Sequence, residues 1–315
     1  MLHIGNYFGA LLPLVQLQDK ADKFFIMIAD LHALTTLEDS KDLKQNSLIL
    51  AMTYLASGID PKKSNIFIQS QIPEHAELAN ILGMITPLPM LELNPVYKEM
   101  KQEFKQNNLG LLSYPVLQAA DILLYKATHV PVGKDQEPHL EITREIARKF
   151  NSRFGKVFPE PQVILQKEAK IFSLQDPSKK MSKSHGEKTC ISLLDSPEKI
   201  REKIKIAVTD SGKEIIYDPK KKPAISNLLA IYSLFSGKLI KELEKNYKNK
   251  GYAELKKDLA EVIIKGLAPL QKKYKELEKN SDDVREILKH GAINVKRTAS
   301  ITMEAVREKI GFFSN

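Results

Sequence analysis

The chain has 315 residues, a formal net charge of +9, and contents of 43% hydrophobic and 28% charged residues. This composition is that of a globular protein with a sizeable core, and the length favours two domains over one. The chain has no run of about 18 apolar residues and no basic segment followed by an apolar stretch at its start, so the sequence predicts neither a membrane span nor a secretory signal, and it favours a cytoplasmic protein. The single cysteine, Cys190, excludes an internal disulfide, and histidines without paired cysteines indicate no structural zinc site.

The first part of the chain alternates predicted strands and helices. Two short runs rich in aromatic and β-branched residues, 24–29 and 66–68, flank a helical pattern over about 43–57. This β-α-β alternation predicts a parallel sheet with crossover helices, in which ligands bind beyond the carboxyl ends of the strands. Asp30 and His32 follow the first run, so we expect them at such an end.

Further along, the sequence predicts helices over 74–86, 112–125 and 137–150 and a strand over 130–132. The segment 96–108 is polar and lysine-rich, as is typical of a mobile insertion. After Lys183 the pattern is helical to the end, with apolar residues three and four apart. These later helical stretches are 225–235, 255–270 and 284–310. We therefore predict an α/β protein whose second domain is α-helical.

Two lysines, Lys180 and Lys183, flank Met181 and Ser182 in a segment with the character of a loop. A loop that stabilises a leaving pyrophosphate needs hydrogen-bond donors where negative charge develops, and this spacing supplies two ammonium groups with a hydroxyl between them. The spacing therefore points to ATP chemistry. A solvated basic turn is the other interpretation of so short a motif.

A second motif, His3-Ile4-Gly5-Asn6, stands near the start of the chain. A helix start that carries His3 and Asn6 beside Gly5 lets a nucleotide base approach the backbone while the imidazole and amide groups reach its phosphates. An ordinary amphipathic first helix is the alternative interpretation.

In this order, and with a parallel-sheet pattern between them, the two motifs resemble the paired signatures of class I aminoacyl-tRNA synthetases. Segments 114–125 and 130–136 resemble the amino-acid and ribose segments of the tryptophanyl-tRNA synthetase family. Segments 207–211, 222–229 and 231–233 resemble the helical domain of the same family, so the resemblance covers essentially the whole chain.

The resemblance implies a fold and a division of the chain. Residues 1–196 would form a Rossmann-like parallel-sheet catalytic domain that binds ATP and the amino acid and includes a mobile loop at 180–184. Residues 197–315 would form an α-helical domain that binds the tRNA anticodon.

The resemblance also implies the residues of the tryptophan site. Asp121 would accept the indole N–H, and an aspartate in the apolar segment 117–124 needs such a donor because an unpaired buried carboxylate is costly; a structural salt bridge is the alternative. Tyr114 and Gln136 would hold the ammonium and carboxylate groups of the substrate. The remaining pocket residues implied are His32, which could instead be simply hydrogen-bonded into its surroundings, and Gln118.

For the nucleotide, the resemblance implies that Gly133 allows ATP to approach the backbone closely and that Asp135 binds the ribose hydroxyls. A tight turn capped by the aspartate is the alternative interpretation of these two residues. Ile171 and Met181 would sandwich the adenine or serve only as loop anchors. The ATP site as a whole would comprise His3, Gly5, Asn6, Gly133, Asp135, Ile171, Lys180, Met181, Ser182 and Lys183.

The implied reaction is in-line attack of the L-tryptophan carboxylate on the α-phosphorus of Mg²⁺-bound ATP, with His3, Asn6, Lys180 and Lys183 as catalytic residues. No metal site on the protein itself is expected. The adenylate is then attacked by the terminal ribose of tRNA(Trp), and the excess positive charge favours such a polyanionic partner. The family resemblance alone suggests a homodimer.

The sequence departs from the family pattern at its start. The family has a strand and a glycine-containing turn directly before the His-Ile-Gly-Asn motif, whereas His3 is the third residue here. We expect that the recorded start is an internal methionine and that the missing strand lies centrally in the sheet.

Other departures affect single positions. Gln118 stands where many bacterial relatives have methionine, which adds a polar group to the indole pocket. His185-Gly186 replaces the usual Asp-Pro after the mobile loop and is expected to alter its hinge. Lys98 and Lys101 are both candidates for contact with the triphosphate, because Met100 stands where the lysine is expected.

Two other functions remain open from the sequence. A tyrosyl-tRNA synthetase shares the architecture and would also use an acidic residue against an aromatic substrate. A non-catalytic tRNA-binding paralogue would bind RNA without forming an adenylate.

Overall fold

The computed structural model describes residues 2–35, 41–94, 97–98, 108–165, 169–183 and 186–313. Contacts between residues group the chain into two compact units. The sheet unit comprises Leu17–Ala51, Ile59–Gln166 and Ser281–Asn315. The loop unit comprises Met1–Gln16, Met52–Gly58 and Lys167–Asn280.

Parallel strand pairs are the framework of the sheet unit. Strands β1 (Phe24–Ile28) and β2 (Ser64–Ile68) pair in parallel, with Ile28 opposite Ile68. Strands β3 (His129–Val132) and β4 (Gln162–Leu165) form a second parallel pair. In the described part of the chain, β1 and β3 are each paired along one edge only.

The helices, in chain order, are α1 (Ile4–Leu17, with a π-turn at Tyr7–Leu11), α2 (Asp30–Ala33), α3 (Leu43–Ala56), α4 (Glu74–Gly83), α5 (Leu88–Glu92), α6 (Leu109–Leu123), α7 (Glu137–Phe154), α8 (Pro197–Ile206), α9 (Pro223–Ser236), α10 (Ile240–Asn246), α11 (Tyr252–Lys279) and α12 (Ser281–Ile310). Short 3₁₀ turns follow β2 and β3, at Gln69–Gln71 and Lys134–Gln136.

One continuous apolar core holds the sheet unit together, with buried residues from β2, α4, α6, α7 and α12. The closest approach in it is between α12 and the backbone of β2. A Cβ added to Gly291 would lie 1.9 Å from the Ile66 carbonyl oxygen, so only glycine lets the helix lie this close to the strand.

The loop unit is organised by helix ends that are capped by specific side chains. Asp210 accepts hydrogen bonds from the backbone N–H groups of Ala224 and Ile225 at the start of α9. At the end of α8, Lys256 Nζ donates to the Ala207 carbonyl at 2.6 Å. These contacts satisfy backbone groups that a helix leaves unpaired at its ends.

A buried ion pair joins α8 to the segment before it. Lys203 Nζ lies 2.7 Å from Asp195 Oδ2, and both side chains are only 7% exposed. Asp195 Oδ2 also accepts from the Ser192 N–H at 2.8 Å. Both charges are therefore compensated, as burial requires.

The fold class predicted from the sequence, an α/β protein with a Rossmann-like sheet and helical C-terminal part, is confirmed. The predicted strands and helices are present, with most boundaries shifted by a few residues and the helix predicted over 255–270 extended to Lys279. The expectation of helix from Lys183 to the end was wrong for 190–196 and 207–222, which are irregular. Strand β4 was missed because it is four residues long and only half-buried, so it lacks a clear apolar alternation. Most of the lysine-rich segment 96–108, including Met100 and Lys101, lies outside the described residues.

The predicted boundary between residues 196 and 197 stays a prediction about function. By contacts, α12 groups with the sheet unit and α8 to α11 group with the loop unit. Among the described residues, no helix taken singly has the length and apolar character to cross a membrane; α9 and α10, bent by 108°, meet that criterion only as a pair.

The ion pair on α8 generates a stability prediction. Lys203→Ala leaves the Asp195 carboxylate buried beside a single backbone donor, so we expect it to lower the free energy of unfolding by about 3 kcal/mol. Lys199 is on the same helix and forms an exposed ion pair with Glu187, so Lys199→Ala should change the free energy of unfolding little. Urea denaturation of both variants measures the difference, and equal losses would contradict this account of the buried pair.

Candidate active site

The loop unit places His3 and Asn6 at the start of α1 in a reciprocal capping arrangement. His3 Nδ1 accepts from the backbone N–H groups of Gly5 (3.1 Å) and Asn6 (3.3 Å), and Asn6 Oδ1 accepts from the His3 N–H at 3.1 Å. Because Nδ1 is an acceptor, the proton of the neutral imidazole resides on Nε2. The acceptor atoms of both side chains are therefore engaged within the cap. Their donors, His3 Nε2–H and the Asn6 NH₂ group, remain available to bind an anion.

Burial, and then the positive charge of Lys180, lower the pKa of His3 below its usual value of 6.5. The imidazole is therefore neutral at pH 7, as the capping arrangement requires. Both sequence-predicted motifs lie in the loop unit, and a Cβ built on Gly5 would be in van der Waals contact with the Met181 side chain, so the structure brings the two motifs together.

Gly5 has no room for a side chain. A Cβ at this position would lie 2.9 Å from two ring atoms of His3 and 3.8 Å from the Met181 Cβ. The segment before it is tied to residues 191–193 by backbone hydrogen bonds, from Ile4 N to Ile191 O (3.0 Å) and from Leu193 N to Leu2 O (3.1 Å). The glycine is thus required for the ring position of His3.

The lysine motif lies at the end of a short hairpin. Its strands are joined by backbone hydrogen bonds from Met181 N to Ile171 O (3.0 Å) and from Ser173 N to Lys179 O (2.9 Å). Ile171 and Met181 are 1% and 3% exposed, whereas Lys180 and Lys183 are exposed. This burial favours the loop-anchor interpretation of Ile171 and Met181. Ser182 is half-buried, and Ser184 and His185 lie outside the described residues.

Asn227 on α9 fixes this hairpin and was not identified from the sequence. Its Oδ1 accepts from the Phe172 N–H at 2.9 Å, and its Nδ2 donates to the Phe172 carbonyl at 3.0 Å. Asn227 is only 4% exposed. The sequence does contain one indication of this role, because Asn227 lies within the mostly apolar stretch 225–229. A buried amide needs hydrogen-bond partners, so such a position predicts a structural contact.

The sheet unit has its own group of candidate site residues around Asp121, which is 9% exposed on α6. Gln69 Nε2 donates to Oδ1 at 2.7 Å, and His32 Nε2 lies 2.8 Å from Oδ2. His75 Nδ1 lies 2.6 Å from Oδ1, but its direction departs from that of a proper hydrogen bond. Burial by itself would raise the pKa of Asp121, yet the interactions with His32 and His75 outweigh it and lower the pKa. The carboxylate is therefore ionised.

Further contacts fix the residues around this carboxylate. Gln69 Oε1 accepts a hydrogen bond from the Leu31 N–H at 3.2 Å. On His75, Nδ1 faces Asp121, and Nε2 lies 2.7 Å from the Tyr125 hydroxyl. Gln69 and His75 are both 0% exposed. Neither was identified from the sequence, although Gln69 directly follows β2, where a sheet places ligands.

The carboxylate keeps capacity for one more donor. A carboxylate offers about four acceptor positions on its two oxygens, and the three neighbouring side chains take at most three of them. Tyr114, Gln118 and Asp121 follow one face of α6 at spacings of four and three residues. The ring centroids of His32 and Tyr114 are 4.3 Å apart, so an aromatic surface lies beside the acidic group.

Besides His75 Nδ1, which lies against Asp121, the buried atoms His32 Nδ1 and Gln118 Oε1 have no hydrogen-bond partner among the described residues. Buried polar atoms are almost always paired, so these two indicate a place for a bound molecule. Burial and the charge of Asp121 raise the pKa of Tyr114, whose hydroxyl therefore stays protonated.

The turn after β3 holds the predicted ribose segment. Gly133 directly follows the strand, and the Gln136 N–H donates to its carbonyl at 3.0 Å, which closes the 3₁₀ turn that contains Asp135. These residues thus lie at the carboxyl end of β3, as the sequence predicted.

The chain matches the family model "tRNA synthetases class I (W and Y)" over residues 1–268. The chain belongs to this family. The tryptophan–tRNA ligase of Caldanaerobacter subterraneus subsp. tengcongensis is 48% identical over 313 residues, which cover 98% of this chain and 94% of that protein. The Bacillus subtilis tryptophan–tRNA ligase is 43% identical over 310 residues, with coverages of 98% and 93%.

Among solved structures, tryptophanyl-tRNA synthetase from Campylobacter jejuni, complexed with ADP and tryptophan, is similar with a TM-score of 0.87 and 38% identity. The match covers 99% of this chain and 96% of that one. The predicted resemblance to bacterial tryptophanyl-tRNA synthetases is therefore confirmed, as is the enzyme class, an ATP-dependent aminoacyl-tRNA synthetase. The roles of the individual site residues stay predictions.

The capping arrangement predicts that the two functions of His3 are separable. His3→Asn keeps a helix-capping oxygen but loses the Nε2 donor, whereas His3→Ala loses both. We expect His3→Ala to lower the free energy of unfolding by about 1 kcal/mol and His3→Asn to change it little, while both slow adenylate formation. Urea denaturation and ATP–pyrophosphate exchange measure the two effects.

The same cap predicts a pH dependence. The folded pKa of His3 is below its unfolded value of 6.5, so the cap stabilises the fold fully above that value and is lost as the pH falls through the folded pKa. The stability difference between the natural protein and His3→Ala should shrink below pH 6.5. A difference that grows as the pH falls would contradict this tautomer.

Proposed function

We propose that the protein activates L-tryptophan with ATP to form tryptophanyl-adenylate and pyrophosphate, and then transfers tryptophan to the 3′-terminal ribose of tRNA(Trp). The observation that carries this proposal is the buried, ionised Asp121 carboxylate, which keeps an acceptor position beside an aromatic surface. The names of the relatives and the tryptophan in the Campylobacter jejuni structure support the same substrate.

In the tryptophan site, Asp121 accepts the indole N–H. Such a group discriminates strongly against phenylalanine, which offers no donor and leaves a desolvated carboxylate without its partner. His32 and Gln118 line the side-chain pocket, where the unpartnered Gln118 Oε1 adds a polar group. Tyr114 and Gln136 bind the ammonium and carboxylate groups of the amino acid.

In the ATP site, Gly5 gives the base access to the backbone, and Gly133 with Asp135 binds the ribose. Mg²⁺ arrives with ATP and neutralises part of the triphosphate charge. The adenine lies near the hairpin that Ile171 and Met181 anchor, and Ser182 supplies a hydroxyl donor to the phosphates.

A tryptophan carboxylate oxygen attacks the α-phosphorus in line, and the bond to the bridging oxygen breaks with departure of pyrophosphate. No proton has to move in this step, so positioning and electrostatics account for catalysis. His3 and Asn6 direct their donors to the phosphates, and Lys180 and Lys183 stabilise the charge that develops on the leaving group.

Two features of the protein surface support binding of tRNA and formation of a homodimer. A net charge of +9 favours binding of tRNA. Four exposed apolar residues lie just after α4, in α5, just after α5 and at the start of α6, and a homodimer interface that covered them would remove apolar surface from water. They are Met84 (75% exposed), Leu88 (53%), Leu93 (68%) and Leu109 (77%).

Two alternatives make different predictions. A tyrosyl-tRNA synthetase would use Asp121 against a phenol and would support exchange with tyrosine rather than tryptophan. A non-catalytic paralogue would bind tRNA but show no exchange with either amino acid. Amino-acid-dependent ATP–pyrophosphate exchange with each amino acid therefore separates all three functions.

Asp121→Asn tests the proposed tryptophan contact. It keeps the size of the side chain but removes the charge, so we expect kcat/KM for tryptophan in ATP–pyrophosphate exchange to fall about 10-fold or more. Asp19→Asn, at an exposed carboxylate, is the control and should leave the rate unchanged. Unchanged kcat/KM in a folded Asp121→Asn protein would exclude the role given to Asp121.

Lys183→Ala tests the mobile loop. Its contact belongs mainly to the transition state, so we expect adenylate formation to slow roughly 100-fold with little change in tryptophan affinity. Lys179→Ala, in the exposed pair with Asp176, is the matched control in the same loop. Single-turnover kinetics and equilibrium tryptophan binding measure the two quantities, and a parallel loss in both would argue against the role of Lys183.

A further inference from the structure

The two carboxylate oxygens of Asp121 have different neighbours. Oδ1 lies 2.7 Å from Gln69 Nε2 and 2.6 Å from His75 Nδ1, so two nitrogen atoms lie against it. Oδ2 lies 2.8 Å from His32 Nε2 and has no second protein partner within the described residues. Each carboxylate oxygen offers about two acceptor positions, so Oδ1 is filled while Oδ2 keeps one position for a further donor.

The two oxygens also face different parts of the sheet unit. Gln69 and His75 are 0% exposed, and the His75 ring stacks on that of the fully buried Phe67, with centroids 6.1 Å apart. Oδ1 is therefore turned towards the closed core. Oδ2 lies beside His32, whose ring centroid is 4.3 Å from that of the half-buried Tyr114. A flat ligand that packs against this aromatic pair thus reaches the carboxylate at Oδ2.

A backbone group fixes the orientation of the Gln69 amide. Gln69 Oε1 accepts from the Leu31 N–H, which can only donate, so the amide oxygen must face Leu31 and the NH₂ group must face Asp121. Gln69 begins the 3₁₀ turn after β2, and Leu31 lies in α2 after β1, so this hydrogen bond joins the ends of the two strands. Beside it, Asp30 Oδ1 accepts from the Ser70 N–H at 2.9 Å and joins the same two segments a second time. The amide is thus held on both sides.

We infer that Gln69 is a positioning residue for tryptophan recognition: its amide occupies Oδ1 of Asp121 and so leaves Oδ2 directed at the indole N–H. This inference rests on the proposed function, in which Asp121 accepts that N–H. A hydrogen bond discriminates best when its acceptor is held in place before the ligand arrives. Without the amide, the carboxylate is free to turn about its Cβ–Cγ bond, and the donors of His32 and His75 can take the position that the substrate needs.

Two substitutions separate this role from a packing role. Gln69→Leu removes both hydrogen bonds of the amide at similar size. Gln69→Glu puts a second carboxyl group where Nε2 lies, 2.7 Å from Asp121 Oδ1. Two carboxyl groups this close share one proton, because like charges disfavour ionisation of both, so the pair releases that proton at a raised pKa.

The shared proton decides whether Gln69→Glu preserves the geometry. With the proton, the new O–H donates to Oδ1 of Asp121 while the other oxygen still accepts from the Leu31 N–H, as in the natural protein. Without the proton, the two carboxylates repel each other and Asp121 loses its orientation. The role of Gln69 therefore predicts that this variant depends on pH.

The other titratable groups around this pair are the same in every variant. They are Asp30 and His32 on α2, Glu74 and His75 on α4, Tyr114 on α6 and Tyr125 just after α6. Their titration therefore affects the natural protein and the variants alike, and a control variant corrects for it. Gln71→Glu makes the same chemical change at an exposed position of the same 3₁₀ turn.

Calorimetric binding of L-tryptophan and of its 3-benzothienyl analogue, in which sulfur replaces the indole N–H, measures the preference for the N–H. At neutral pH we expect the natural protein and Gln71→Glu to prefer tryptophan about 10-fold, and Gln69→Leu to prefer it about 3-fold or less. The affinity for the analogue should change little in Gln69→Leu, because the analogue makes no N–H contact. A packing defect would weaken the binding of both ligands.

Gln69→Glu should keep most of the preference at about pH 5.5 and lose it by about pH 8.5, whereas Gln71→Glu should show no such change. Recovery at the lower pH also shows that the variant folds. A full preference in Gln69→Leu, or in Gln69→Glu at both pH values, would overturn the inference and leave the proposed function intact. No preference in the natural protein would instead overturn the contact between Asp121 and the indole on which the proposed function depends.

Discussion

The sheet unit depends on keeping one buried carboxylate charged. Asp121 on α6 meets His32 from α2, Gln69 from the turn after β2, and His75 from α4. The parallel register of β1 and β2 places Ile28 opposite Ile68, so the residues after the two strands arrive at the same edge. Four separate elements are thereby fixed around one charge, and loss of that charge would leave their polar groups buried without a partner.

In the loop unit, by contrast, the side chains present hydrogen-bond donors that can bind an anion. Its helix start satisfies its own N–H groups with His3 Nδ1 and so directs the remaining imidazole proton outwards. The neighbouring lysine loop is anchored by buried side chains and by Asn227, while its ammonium groups stay exposed. Buried anchors with exposed ammonium groups place cationic donors where electrostatic stabilisation of a leaving group would need them.

Much of this could be predicted from the sequence, and the failures have physical causes. Asp121 was identifiable because a charge in an apolar helix needs a partner, and the two nucleotide motifs have characteristic spacings. Gln69 and His75 carry no local signal of function, since their role arises only when strand register and helix packing bring them to Asp121. Asn227 likewise gains its role from a hydrogen bond across 55 residues of chain.

The proposed function depends on recognition of the indole N–H by Asp121. Its most direct test changes the ligand instead of the fold: calorimetric binding of L-tryptophan and of its 3-benzothienyl analogue, in which sulfur replaces N–H, to the natural protein and to Asp121→Asn. We expect the natural protein to bind tryptophan about 10-fold or more tightly than the analogue, and Asp121→Asn to lose most of this preference. An equal preference in both proteins would contradict it, because the N–H would then be recognised elsewhere.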